Sequence, residues 1–94
     1  MATMIVKHRV ANFESWKKVF DEMEGTRREH GWTGHEVHRD ANDPNLVVIV
    51  NHMRDVAGGK RYGGSQALRD AMARAGVQGA PEILFLDDAE RKAY

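Results

Sequence analysis

Residues 4–10 alternate, with Met4, Val6, His8 and Val10 on one face and Ile5, Lys7 and Arg9 on the other. That period of two predicts a first strand. Asn12 follows as a helix N-cap, because its side-chain oxygen can accept an amide that the first turn leaves free. From residue 13 to about 30 the spacing becomes helical. Phe13, Trp16, Val19, Phe20 and Met23 form one apolar stripe, while Lys17, Lys18, Asp21 and Glu22 face water. Gly31 is placed to close this helix in a left-handed conformation.

Residues 34–40 read as a short polar strand at a sheet edge, and residues 42–45 as a turn built on Pro44. Residues 46–50 (LVVIV) are apolar on both faces, so this strand is central and covered on two sides. Asp55 can cap the next segment, but glycine pairs at 58–59 and 63–64 punctuate it. Each interior glycine costs a helix about 0.8–1 kcal/mol against alanine, so residues 56–64 are expected to be a weak helical turn or a loop. Ser65 caps a firmer helix over 66–75, Gly76 ends it, and residues 82–86 (EILFL) form a last strand before a polar tail.

The order is β-α-β-β-α-β. Right-handed crossovers place four strands in one antiparallel sheet with the helices on one face, a ferredoxin-like α+β domain spanning residues 1–94. Helices cover one side only, yet the third and fourth strands are apolar on both. A second copy of the sheet is the simplest cover, so a homodimer is expected.

Composition narrows the function. Hydrophobic residues are 41% of 94, enough for a globular core. Fourteen Lys plus Arg balance fourteen Asp plus Glu, with no basic stripe, which argues against a nucleic-acid partner. Cysteine is absent, which removes disulfides, thiolate metal sites and a cysteine nucleophile. No apolar run suits a signal peptide or a membrane span, so a cytoplasmic protein without a membrane partner is expected.

The chain resembles the dimeric α/β-barrel superfamily that includes the antibiotic biosynthesis monooxygenase-like proteins. The likeness is carried by His8 to Val10 through Trp16 and Val19–Phe20–Asp21, by Arg39 with Asp43–Pro44–Asn45, and by Leu68–Arg69, Ala71–Met72 and Ala75–Gly76–Val77. It covers nearly the whole chain. It implies two four-stranded sheets packed face to face as a barrel with helices outside. Relatives in that superfamily oxidise aromatic polyketides without metal or flavin, isomerise small lactones, or degrade haem. The haem-degrading members use an Asn, a Trp and a His; this chain has no Asn in its first strand and neither Trp nor His in its second long helix.

Five residues are candidates for a site. His8 shares a face with Val6 and Val10, so partial desolvation would lower its pKa; it is either the acid–base group or a core histidine. Trp16 and Phe20, one turn apart, are either core or the aromatic wall of a pocket for a flat ligand. Tyr62, between the glycine pairs, belongs either to a flexible connection or to a flap closing over an anionic or phenolic ligand. Arg69 either binds a carboxylate or phenolate or is a solvated helix charge. The histidines are not spaced as a metal set, and no dinucleotide or P-loop fingerprint is present, so no cofactor is expected. The residues and the resemblance together point to a cofactor-independent monooxygenase- or isomerase-like enzyme acting on a small aromatic or lactone-like metabolite. A non-catalytic small-ligand or stress-response dimer and a purely structural dimer are the alternatives.

Overall fold

The computed structural model describes residues 1–94. Its elements are β1 (Ala2–Val10), α1 (Phe13–Glu22), α2 (Glu24–Glu29), β2 (Trp32–Asp40), β3 (Asp43–Met53), α3 (Val56–Gly63), α4 (Gln66–Arg74) and β4 (Val77–Asp87). The four strands form one antiparallel sheet in the order β2-β3-β1-β4, with β3 and β1 in the centre and the polar β2 at an edge. This is the expected ferredoxin-like α+β arrangement. No helix is long and apolar enough to cross a membrane.

Period-two patterning sets which side chains meet the helices. Ala2, Met4, Val6, His8 and Val10 of β1 and Val47, Ile49, Asn51 and Met53 of β3 are all buried on the helix side. Trp16 of α1 and Tyr62 of α3 close over them in the same core. The opposite face carries Ile5, Val48, Val50, Leu84 and Leu86, with Ile5 paired to both Val50 and Leu84. Leu84 is 56% exposed there.

The predicted caps form. Asn12 Oδ1 accepts from Ser15 N at 3.0 Å, Asp55 Oδ1 from Gly58 N at 2.7 Å, and Ser65 Oγ from Leu68 N at 3.2 Å. Gly31 and Gly76 take φ of 97° and 79°, the left-handed values that close the preceding helices without a Cβ clash.

Four expectations need correction. The first long helix is broken at Met23, because the Phe20 carbonyl, which a continuous helix would give to residue 24, accepts instead from Met23 N and Arg27 Nη1. The turn after β2 is Ala41–Asn42 alone, and Asp43 to Asn45 already belong to β3. Pro44 is tolerated there because β1 pairs with β3 only from Leu46 onward, so its missing N–H is not called for. β4 begins five residues early, passing Gly79 (φ 72°) and Pro81 through a bulge where Lys7 faces Glu82 and Arg9 faces Gln78.

The fourth is α3, which is a helix despite its glycines. A Cβ on Gly58 would sit 2.6 Å from the His30 carbonyl oxygen, and one on Gly59 would overlap the Met53 thioether. The glycines let α3 lie against β3 and the end of α2, and the packing gained offsets their propensity cost.

Candidate functional site

Burial of the α1 stripe against β1 produces a row of rings. The His8 imidazole meets Trp16 edge-on at 5.6 Å between centroids, and Trp16 stacks on Phe20 at 4.9 Å and 21°. Phe20 in turn carries the Arg27 guanidinium, whose carbon lies 3.8 Å from the ring centroid. His8 and Arg27 therefore stand at opposite ends of one aromatic run. His35 of β2 adds an edge contact to Phe20 at 4.9 Å, and burial lowers its pKa.

A crevice lies along this row between the helices and the sheet, bounded by His8, Trp16, Phe20, Arg27, Asn51 and Tyr62, with Leu68 and Met72 of α4 on the far side. It measures about 540 Å³ counting its open mouth, of which about 60 Å³ has room for the centres of water molecules. An apolar cavity that takes benzene measures about 150 Å³. An aromatic ring entering here must therefore extend into the mouth or displace α3 and α4 outward.

The polar groups around the crevice are of two kinds. Asn51 is satisfied: Trp32 Nε1 donates to its Oδ1 at 2.9 Å, and its Nδ2 donates to the Met4 carbonyl at 3.1 Å. His8 and Arg27 are not. His8 is 6% exposed, and neither ring nitrogen has a hydrogen-bond partner in the protein. Desolvation pushes its pKa from 6.5 down to about 4, so the imidazole is neutral at pH 7 and can accept a proton. Arg27 is 4% exposed; Nη1 donates to the Phe20 carbonyl at 2.7 Å, and Nη2 is buried with no partner. Burial lowers its pKa, and the nearby Tyr62 phenol, which feels the guanidinium's charge without a well-formed hydrogen bond, has its own pKa raised chiefly by burial.

Of the residues singled out from sequence, His8, Trp16, Phe20 and Tyr62 are brought together on this crevice. Arg69 is not. It projects from the exposed side of α4, where its guanidinium nitrogens approach Gln66 Oε1 at 3.3–3.4 Å. One step past Leu68 on the helix turns it about 100° away from the apolar side. Tyr62 also stands on a packed helix rather than a loop, with its ring edge-on to Trp32 at 5.2 Å. Sequence reasoning missed Arg27, although it continues the Trp16, Phe20, Met23 spacing by one more turn. Asn51 was missed too; its signal was a lone amide ending the apolar run of β3.

On the open face, Glu36 bridges His52 and His38 at 3.1 and 3.2 Å, and these hydrogen bonds, that of His52 first, lower the Glu36 pKa. No group of three or more His, Asp or Glu side chains is arranged to hold a metal ion.

No family model matches the sequence, and no curated protein matches it. Solved structures do match the fold. The cofactor-independent oxygenase SnoaB from Streptomyces nogalater superposes with a TM-score of 0.77 at 14% identity, over 96% of this chain and 94% of that one. A Caulobacter crescentus protein provisionally described as an antibiotic biosynthesis monooxygenase gives 0.74 at 20% identity, over 95% and 90% of the two chains. A further structure described as an antibiotic biosynthesis monooxygenase gives 0.71 at 13%, over 96% and 100%. The chain thus has the ferredoxin-like fold of the antibiotic biosynthesis monooxygenase structures.

Proposed function

We propose that this protein is a cofactor-independent oxygenase acting on a small hydroxylated aromatic metabolite, with His8 as the general base. The observation that carries the reading is a buried, neutral imidazole without a protein partner at the end of an aromatic-walled crevice. The likeness in fold to SnoaB supports it by analogy.

The rings of Trp16 and Phe20, stacked on each other, would present their edges to the substrate, and the apolar walls would keep water from its reactive carbon. His8 takes the proton of a ring hydroxyl. The electron-rich carbon para to the resulting oxyanion then gives electrons to O2 and bonds to it, and the peroxide takes the proton back from His8 to become a hydroperoxide. Loss of water leaves a carbonyl, so one hydroxyarene and one O2 become one quinone and one water. Magnitude limits the substrate: a phenol of pKa about 10 giving its proton to a base near 4 is uphill by about 8 kcal/mol. The substrate hydroxyl must therefore be far more acidic than a simple phenol, as where it is conjugated through the ring to a carbonyl and forms a vinylogous acid.

The test is oxygen uptake in air-saturated buffer with a panel of such hydroxyarenes, alongside small unsaturated lactones for an isomerase. The expected result is O2 consumption matched to quinone, reduced about 10²–10⁴-fold in His8→Leu, the range for losing a positioned base. Binding of the same compounds without O2 uptake or isomerisation would replace the enzyme by a ligand-binding protein. Full activity in His8→Leu would remove the mechanism.

We also propose that the protein works as a homodimer through the face carrying Val50, Leu84 and Leu86. Apolar side chains on a sheet face that no helix covers support this reading.

A further inference from the structure

A guanidinium that is 96% buried by area should have an acid beside it, and Arg27 has none. Burial lowers its pKa, and Glu24 and Asp21 raise it only through space, each being paired with another cation. Asp21 pairs with Lys17 at 2.6 Å and Glu24 with Arg28 at 3.2 Å, and neither forms an ion pair with Arg27. What holds Arg27 is the face of Phe20 and one hydrogen bond to the Phe20 carbonyl. That carbonyl also accepts from Met23 N, so it does not depend on Arg27. One hydrogen bond at the helix break and one aromatic face leave most of this cation's donors unused. An apolar side chain of similar length would fill the same space without the desolvation cost.

We propose that Arg27 is an anion-recognition site, and that the substrate is a planar ring bearing a carboxylate which the guanidinium binds at the end of the crevice opposite His8. This rests on the crevice being a ligand site. Nη2 makes no well-formed hydrogen bond, with only the Tyr62 phenol near it, and Nη1 uses one of its two hydrogens, so two parallel donors can match the two oxygens of a carboxylate. Phe20 beneath the guanidinium fixes its plane, and the Tyr62 phenol beside it adds a neutral donor. With its carboxylate on Arg27, the rest of a planar substrate would run across the edges of Trp16 and Phe20 toward the His8 end of the crevice. Arg27 sets orientation and specificity; it exchanges no proton.

Benzoate and its neutral analogue benzamide separate the possibilities, at pH 7, followed through the Trp16 and Trp32 indole N–H and Arg27 guanidinium resonances. Benzoate should bind at least tenfold more tightly than benzamide and shift the Arg27 resonance, which benzamide leaves in place. In Arg27→Met the two probes should bind alike, and Arg27→Lys should keep part of the preference. Equal binding of both probes to the wild-type protein, or a benzoate preference that survives in Arg27→Met, would overturn the anion site and leave the crevice as a ligand site. If neither probe moves the Trp16 indole, the crevice does not take a single-ring ligand and both proposals fall. Should Arg27→Met fail to fold, the wild-type pair of probes and the Arg27 resonance still decide.

Discussion

Lowering the pH should unfold this protein partly through one side chain, His8. In the folded state its imidazole is enclosed among Val6, Val10 and Trp16 with both nitrogens unpartnered, and its pKa falls from 6.5 to about 4. The unfolded chain binds a proton at His8 from about pH 6.5 downward, while the folded chain resists until about pH 4. A depressed folded pKa means that the contribution is fully present above 6.5, is lost progressively as pH falls, and is gone below 4. The gap corresponds to about 3 kcal/mol, a large share of a small domain's 5–15 kcal/mol. His8→Leu removes the titration and the two unpaired nitrogens while keeping an apolar side chain of useful size. Urea unfolding of both proteins at fixed concentration, from pH 7.5 to 4, separates the contribution of His8 from those of the other titrating groups. The wild-type protein should lose about 3 kcal/mol more than His8→Leu across that range. At pH 7 the leucine variant should be at least as stable. The imidazole C–H resonance of His8 should titrate with a midpoint near 4. A midpoint at 6 or above, or parallel pH curves for the two proteins, would refute the desolvation argument and weaken the case for a buried base.

Two further predictions concern the frame that holds the site. Gly58→Ala should destabilise by about 1 kcal/mol or more, because overpacking against the His30 carbonyl costs 1–3 kcal/mol and exceeds the helix-propensity gain, whereas Gly25→Ala in α2, with open space around it, should be neutral or stabilising by up to about 1 kcal/mol. Thermal or urea melts of the pair check this, and a stabilised Gly58→Ala would mean that α3 does not pack as described. Leu84→Asp places a charge on the open sheet face and should convert a dimer into a folded monomer of 10.6 kDa by light scattering, with its far-ultraviolet spectrum unchanged. A wild-type protein that is already monomeric at micromolar concentration would remove the dimer.

Local chemistry made much of this molecule legible in its sequence. The alternation in β1, the apolar stripe from Phe13 to Met23, the three capping side chains and the two left-handed glycines each act within a few residues, and each appears in the structure as read. The same local rules put His8 beside Val6 and Val10 and set Trp16 one turn before Phe20, so half of the crevice was visible in one dimension. Tertiary structure decided what depends on groups distant along the chain. Propensity opposes α3, and only the close approach of Gly58 to His30 and of Gly59 to Met53 makes it favourable. Arg69 and Arg27 are both arginines on helices. Helix phase turns one to solvent, while the break at Met23 and the Phe20 ring hold the other beneath the surface. Charge alone does not reveal whether a guanidinium has an acid beside it. That is settled by where the chain places Asp21 and Glu24, and here it directs both to other cations and leaves Arg27 facing the crevice.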